Sequence, residues 1–183
     1  MKIENMTFQF LLNCIRVRKK SQITDNIECI VNVDETQCYL ENPSKETIDI
    51  KGEKNIEIVT YGKDKCRITA VLGVTASGYK LPSLLILKGK SGRIKEKKFK
   101  TIECVKNKTI FIKCQDKAWC TSEIFLYWIN NIYMHYQNCV VKKKCMLVFD
   151  KATTHINEEM IKFLNDNNIN YVIIPAGFTR FLQ

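Results

Sequence analysis

Two carboxylates stand out by where they fall in the chain. Asp34 closes the run Cys29-Ile30-Val31-Asn32-Val33-Asp34, and Asp150 closes Met146-Leu147-Val148-Phe149-Asp150. Each follows an apolar segment of strand length, so each is expected at the C-terminal end of a strand. If those strands are parallel neighbours, the carboxylates converge. Converged carboxylates repel one another unless a cation lies between them. Mg²⁺ suits such a pair, because it takes oxygen ligands and commonly uses one or two carboxylates plus substrate phosphate oxygens. Two such ions about 3.5–4 Å apart can activate a water and stabilise the leaving oxygen of a phosphodiester. Strand-terminal Asp is also a common turn former, so position alone leaves both readings open.

The surrounding elements decide whether the two acids can meet. Residues 1–28 predict a helical and basic lead-in, with Phe8, Leu11, Leu12 and Ile15 as its apolar residues and Arg16, Arg18, Lys19 and Lys20 behind them. Residues 41–55 are polar and predict a loop, followed by a short edge strand over Ile56 to Tyr61. Arg67 to Thr75 is almost continuously apolar, as in a strand covered on both faces. Ala76-Ser77-Gly78-Tyr79 is a turn signal, and Leu84 to Leu87 completes a hairpin. A further strand is expected over Thr109–Lys113. Thr121 or Ser122 caps a helix on which Phe125, Trp128, Ile129, Ile132 and Tyr136 recur at helical spacing. Asn157 caps another, with Glu158 and Glu159 in its first turn, and Tyr171 to Ile174 forms a last strand before Pro175.

An early hairpin implies antiparallel pairing, and later strands alternating with helices imply parallel pairing. A mixed sheet flanked by helices, the ribonuclease-H-like α/β arrangement, accommodates both. A Rossmann half and a receiver domain use similar units. The hairpin, and the lack of a Gly-rich strand-to-helix turn, argue against them.

Composition narrows the field further. The 183 residues carry 29 basic and 19 acidic side chains, a net charge of +10. From Lys88 to Lys117 there are eleven basic residues against three acidic, so one segment holds most of the excess. Such a segment suits a polyanion, since each neutralised phosphate releases counterions. Lys88, Lys90, Arg93, Lys95, Lys97, Lys98 and Lys100 are its candidate DNA-binding residues. A solvated lysine face would look the same, and only five of the 29 basic residues are Arg. No apolar run of about 18 residues predicts a membrane span, and the first residues lack a secretory pattern. The nine cysteines show no C-x-x-C pair and there are two histidines, which argues against zinc. Reduced thiols are expected, with Cys29, Cys139 and Cys145 filling the core.

Seven local words, in order, carry a resemblance. They are Asn32-Val33-Asp34-Glu35-Thr36, Thr60-Tyr61-Gly62-Lys63-Asp64-Lys65-Cys66-Arg67-Ile68-Thr69, Ser77-Gly78-Tyr79-Lys80-Leu81-Pro82, Leu87-Lys88-Gly89, Lys117-Ala118-Trp119-Cys120-Thr121, Phe149-Asp150-Lys151-Ala152-Thr153-Thr154-His155 and Ile174-Pro175-Ala176-Gly177-Phe178-Thr179-Arg180-Phe181-Leu182-Gln183. Together they resemble the catalytic domain of the pogo/Tigger/jerky transposases, DDE superfamily endonucleases related to mariner elements and to centromere protein B. The resemblance covers roughly residues 30–183, and the domain is expected over residues 29–183.

It implies a ribonuclease-H-like fold, Mg²⁺ or Mn²⁺ as cofactor, cutting and joining of transposon ends in the nucleus, and DNA as partner. A homodimer is compatible with it, and a membrane is not. The first catalytic and metal-binding acid of the family maps to Asp34 and the second to Asp150. The third is expected a few residues past the T-x-x-L-Q word, where this sequence ends at Gln183. The expectation is therefore a catalytic domain incomplete at its C-terminal side, lacking its last helix, and weakly active or inactive as an endonuclease. The alternative is a non-catalytic, domesticated nucleic-acid-binding module. Glu35 should point away from Asp34 and not replace the third acid. His155 is expected to cap the following helix, Trp119 to pack under the long helix, and Thr69 to bury a satisfied hydroxyl.

Overall fold

The computed structural model describes residues 2–23, 26–41, 51–52, 67–89, 99, 102–151 and 156–177. Its strands are β1 (Ile30–Tyr39), β2 (Arg67–Thr75), β3 (Ser83–Lys88), β4 (Ile110–Gln115), β5 (Met146–Asp150) and β6 (Asn170–Ile174). They form one sheet in the order β4-β3-β2-β1-β5-β6. β1 and β2 pair antiparallel, as do β2 and β3, while β1–β5, β5–β6 and β3–β4 are parallel. This is the expected mixed sheet. The expected edge strand over Ile56 to Tyr61 lies outside the described residues.

Helix α1 (Lys2–Lys20) leads in, and a single turn, α2 (Glu103–Lys106), precedes β4. Helix α3 (Ser122–Trp128) is capped by Thr121, whose hydroxyl accepts the Ile124 N–H at 3.4 Å. It runs on through two wider π-wound stretches, Ile129–Tyr133 and Tyr136–Val141, and stops where Lys142 turns left-handed at φ 55°. Helix α4 (Glu158–Asp166) is capped by Asn157 and packs on β6, burying Met160 and Leu164.

The core lies between one sheet face and the long helix. Phe125, Trp128, Ile129, Ile132 and Tyr136 are all buried, as their spacing predicts. Phe125 stacks on Trp128 with centroids 6.0 Å apart, Trp128 on Tyr133 at 6.3 Å, and Phe125 meets Phe149 of β5 at 5.6 Å. Rings offset in this way add a directional term to their area burial. Gly73 of β2 faces Trp128, so its partner Val33 in β1 shares that covered face.

Three packing expectations change. Helix α1 turns Met6, Phe10, Cys14 and Val17 toward the core, leaving Phe8, Leu11 and Ile15 about half exposed. Cys139 is exposed, while Cys29 and Cys145 are buried. Trp119 is exposed, because its neighbour Ala118 turns inward at φ 55° and its carbonyl accepts the buried Thr69 hydroxyl at 2.6 Å. Thr69 thus has the satisfied hydroxyl expected of it.

Candidate active site

The parallel register of β1 and β5 runs Ile30↔Met146, Val31↔Leu147 and Asn32↔Val148. The pairing ends there; the same register carried two residues further would bring Asp34 level with Asp150. Asp34 is exposed and Asp150 half-buried. Alternation along each strand places both on one face. Val33 shares the face of Gly73 and Trp128, and Phe149 touches Phe125, so Asp34 and Asp150, one residue on, look the other way. On that other face β2 is open. Leu72, opposite Asp34, and Val74, opposite Asn32, are 44% and 42% exposed. Neighbouring strands stand about 4.8 Å apart, so acids aligned by that register would lie within reach of a shared cation.

Local contacts orient the pair. One Asp34 carboxylate oxygen accepts the Glu35 N–H at 2.8 Å. After Asp150, the Lys151 N–H donates to the Ile174 carbonyl at 3.0 Å, tying the end of β5 to β6. Glu35 faces the opposite side of the sheet. Its carboxylate meets the buried Cys120 thiol, which burial and then the Glu35 charge push far above its ordinary range. Glu35 is thus engaged away from Asp34, as alternation predicts.

The donor set is oxygen only, from two carboxylates on a solvent-open face, and it fits a hard divalent cation better than a thiophilic one. Among the described residues, no group of three or more His, Cys, Asp or Glu gathers. Asn32 was not singled out by the sequence reading, yet it lies on the acid face one pleat before Asp34 and is half-buried. The i, i+2 period of a strand was the signal that would have found it.

The basic residues divide differently. Lys88 ends β3 and is exposed. Lys90, Arg93, Lys95, Lys97, Lys98 and Lys100 lie outside the described residues, as does His155. Farther along the same segment, Lys106, Lys108 and Lys117 are exposed. Lys113 places its Nζ 3.9 Å from the Tyr127 ring centroid, and Lys117 lies 5.7 Å from that of Trp119. Among the described residues, no helix is long and apolar enough to cross a membrane.

Residues 65–183 match the DDE superfamily endonuclease family. The chain is 35% identical over 152 residues to the mouse (Mus musculus) protein named Pogo transposable element with KRAB domain, and 34% identical to the human (Homo sapiens) protein of that name. Both alignments cover 83% of this chain, which spans 24% of each relative's length. Among solved structures, the Mos1 transposase paired-end complex with left transposon end superposes with a TM-score of 0.54 at 12% identity, covering 96% of this chain and 44% of that one. The Mos1 mariner paired end complex with Mn superposes equally well at 13% identity, covering 92% of this chain and 42% of that one. At that identity the likeness shows the fold, which is ribonuclease-H-like.

Proposed function

Because this chain belongs to the DDE superfamily endonuclease family, we propose that it is the catalytic domain of a transposase-derived protein, built for metal-dependent phosphodiester chemistry on DNA in the nucleus. The observation that carries the reading is the parallel pairing of β1 and β5, whose register, carried two residues past Asn32↔Val148, brings Asp34 and Asp150 level on the open face.

Asp34 and Asp150 are the residues that would hold Mg²⁺ or Mn²⁺. When bound, such ions supply Lewis-acid activation and charge neutralisation at a phosphodiester. The chain's own residues do the positioning. β1 and β5 fix the two carboxylates in one plane of the sheet. The Glu35 N–H holds one Asp34 oxygen, and Asn32 adds a polar group beside the pair. The open strip of β2 leaves the face accessible to a long substrate. β4 lies three strands from β1, roughly 14 Å away at the usual spacing. Exposed Lys88 and Lys117, at the ends of β3 and just past β4, lie where a DNA backbone crossing the acid face could be followed. Lys90, Arg93, Lys95, Lys97, Lys98 and Lys100 are proposed to extend that track. Such contacts supply affinity and little sequence choice.

A second reading, a nucleic-acid-binding module without chemistry, rests on the exposed Lys88, Lys106, Lys108 and Lys117 alone. Supercoiled-plasmid nicking in Mg²⁺ and Mn²⁺, together with DNA binding across a salt series, tests both. Steeply salt-sensitive binding is expected on both readings, and metal-dependent nicking separates them. Robust nicking abolished by Asp150→Asn would show that the two acids suffice. Binding indifferent to both salt and metal would overturn both readings.

A further inference from the structure

We propose that Cys29 and Cys145 form a peroxide-responsive dithiol that closes into a disulfide bridging β1 and β5. The two cysteines precede the strands by one residue each. Ile30↔Met146 is the first pair of the β1–β5 register, and Cys29, the last residue of a 3-10 turn (Ile27–Cys29), and Cys145 immediately precede it. Both are buried, with Cys29 2% and Cys145 0% exposed. The Cys145 thiol donates to the Lys143 carbonyl at 3.5 Å. A disulfide needs Cα atoms about 4.4–6.8 Å apart, and the paired residues Ile30 and Met146 that follow the two cysteines hold their chains at adjacent-strand spacing.

Cys29 is reachable from one side. A cavity of about 630 Å³ is walled by Cys29, Ser21, Asn26, Lys143 and Lys144 among others. Both lysines are exposed at its rim. Ser21 is 8% exposed and its Oγ has no hydrogen-bond partner, which leaves a polar group in the wall for a small polar molecule. Cys145 does not line this cavity. Burial, and then the Cys29 thiol beside it, push the Cys145 thiol up to about 12. Cys29 is therefore the thiol that meets an oxidant first.

With hydrogen peroxide as oxidant the steps balance. The Cys29 thiolate attacks one peroxide oxygen and the O–O bond breaks, giving a sulfenic acid and hydroxide. The Cys145 sulfur then displaces the sulfenic hydroxyl. The S–S bond forms as the S–O bond breaks, and water leaves with the Cys145 proton. The hydroxide takes up the proton that Cys29 released in forming its thiolate, so two thiols are oxidised and one peroxide is reduced to two waters.

The test is peptide mapping of the whole 183-residue chain after peroxide treatment, with free thiols alkylated under denaturing conditions. The expected product is a Cys29–Cys145 cross-linked peptide, 2 Da lighter than its parts, that reduction dissolves. Tm should rise by roughly 10 °C on oxidation, because the bridge closes a very long loop. Cys29→Ala and Cys145→Ala should each abolish that rise. Recovery of Cys29 and Cys145 as alkylated thiols would overturn the proposal. So would Cys29 trapped as sulfinic acid, a cross-link to another cysteine, or a lower Tm on oxidation.

Discussion

Gly73 lies so close to Trp128 that a Cβ on it would stand 2.7 Å from Trp128 Cζ2. The indole has no room to retreat, being fully buried and stacked between Phe125 and Tyr133. Gly73→Ala should therefore force the long helix away from β2. Overpacking of this kind typically costs about 1–3 kcal/mol. Urea unfolding should show a lower midpoint at an unchanged slope.

Replacing either acid should be nearly silent for the metal-free fold and decisive for metal binding. Asp34 is exposed and Asp150 half-buried, so Asp→Asn removes mutual repulsion at little packing cost. A ligand at ten times its Kd stabilises by about 1.4 kcal/mol, roughly 3–5 °C for a domain of this size. Mn²⁺ should raise the wild-type Tm by that amount and leave Asp34→Asn and Asp150→Asn unmoved. Equal shifts in all three proteins would place the metal elsewhere.

Helix α4 depends on its cap. Asn157 Oδ1 accepts the Met160 N–H at 2.8 Å, and Glu158 and Glu159 favour the same helix end. Asn157→Ala should cost about 1 kcal/mol, read as a lower urea midpoint. Asn157→Ser should recover most of it.

Alkaline stability should carry the mark of Tyr136. Burial, and then the neighbouring Cys145 and Glu28, push its phenol up to about 12, against an ordinary value of 10.0. The unfolded chain releases this proton from about pH 10, while the folded chain keeps it. The contribution is whole below pH 10 and is lost as pH rises toward 12. Tyr136→Phe removes the hydrogen bond to the Glu28 carbonyl at 3.0 Å, costing about 1 kcal/mol at pH 8.5. It also removes the titration. The stability gap between the two proteins should accordingly narrow between pH 8.5 and pH 11.

Much of this architecture is legible in the residues. The run Met146 to Asp150 is β5 to the residue, because an unbroken apolar stretch ending on an acid suits a buried parallel strand. Asn157 caps α4 where its side chain and following glutamates predict. Helix α1 was not legible in the same way. Phe8, Leu11 and Ile15 form one stripe at helical spacing, and Met6, Phe10, Cys14 and Val17 form another. Nothing local chooses between them. Contact with β6 does, by covering the second stripe. Cys139 fell on the exposed side because the π-wound turns beyond Trp128 add a residue per turn and rotate the later positions. The acids were legible as strand ends, but their level placement depends on a register that only the assembled sheet defines.

Asp34 and Asp150 stand 116 positions apart in the chain. During synthesis at about 5–20 residues per second, the first acid emerges roughly 6–23 s before the second. For that interval β1 has β2 and β3 as companions but no β5, and half of the site waits for its counterpart. The two carboxylates become a pair only when the sheet closes across this long separation, among the slower kinds of contact to form. Any capacity of the pair to hold a cation is therefore withheld from nascent and partly folded chains and arrives with the finished sheet.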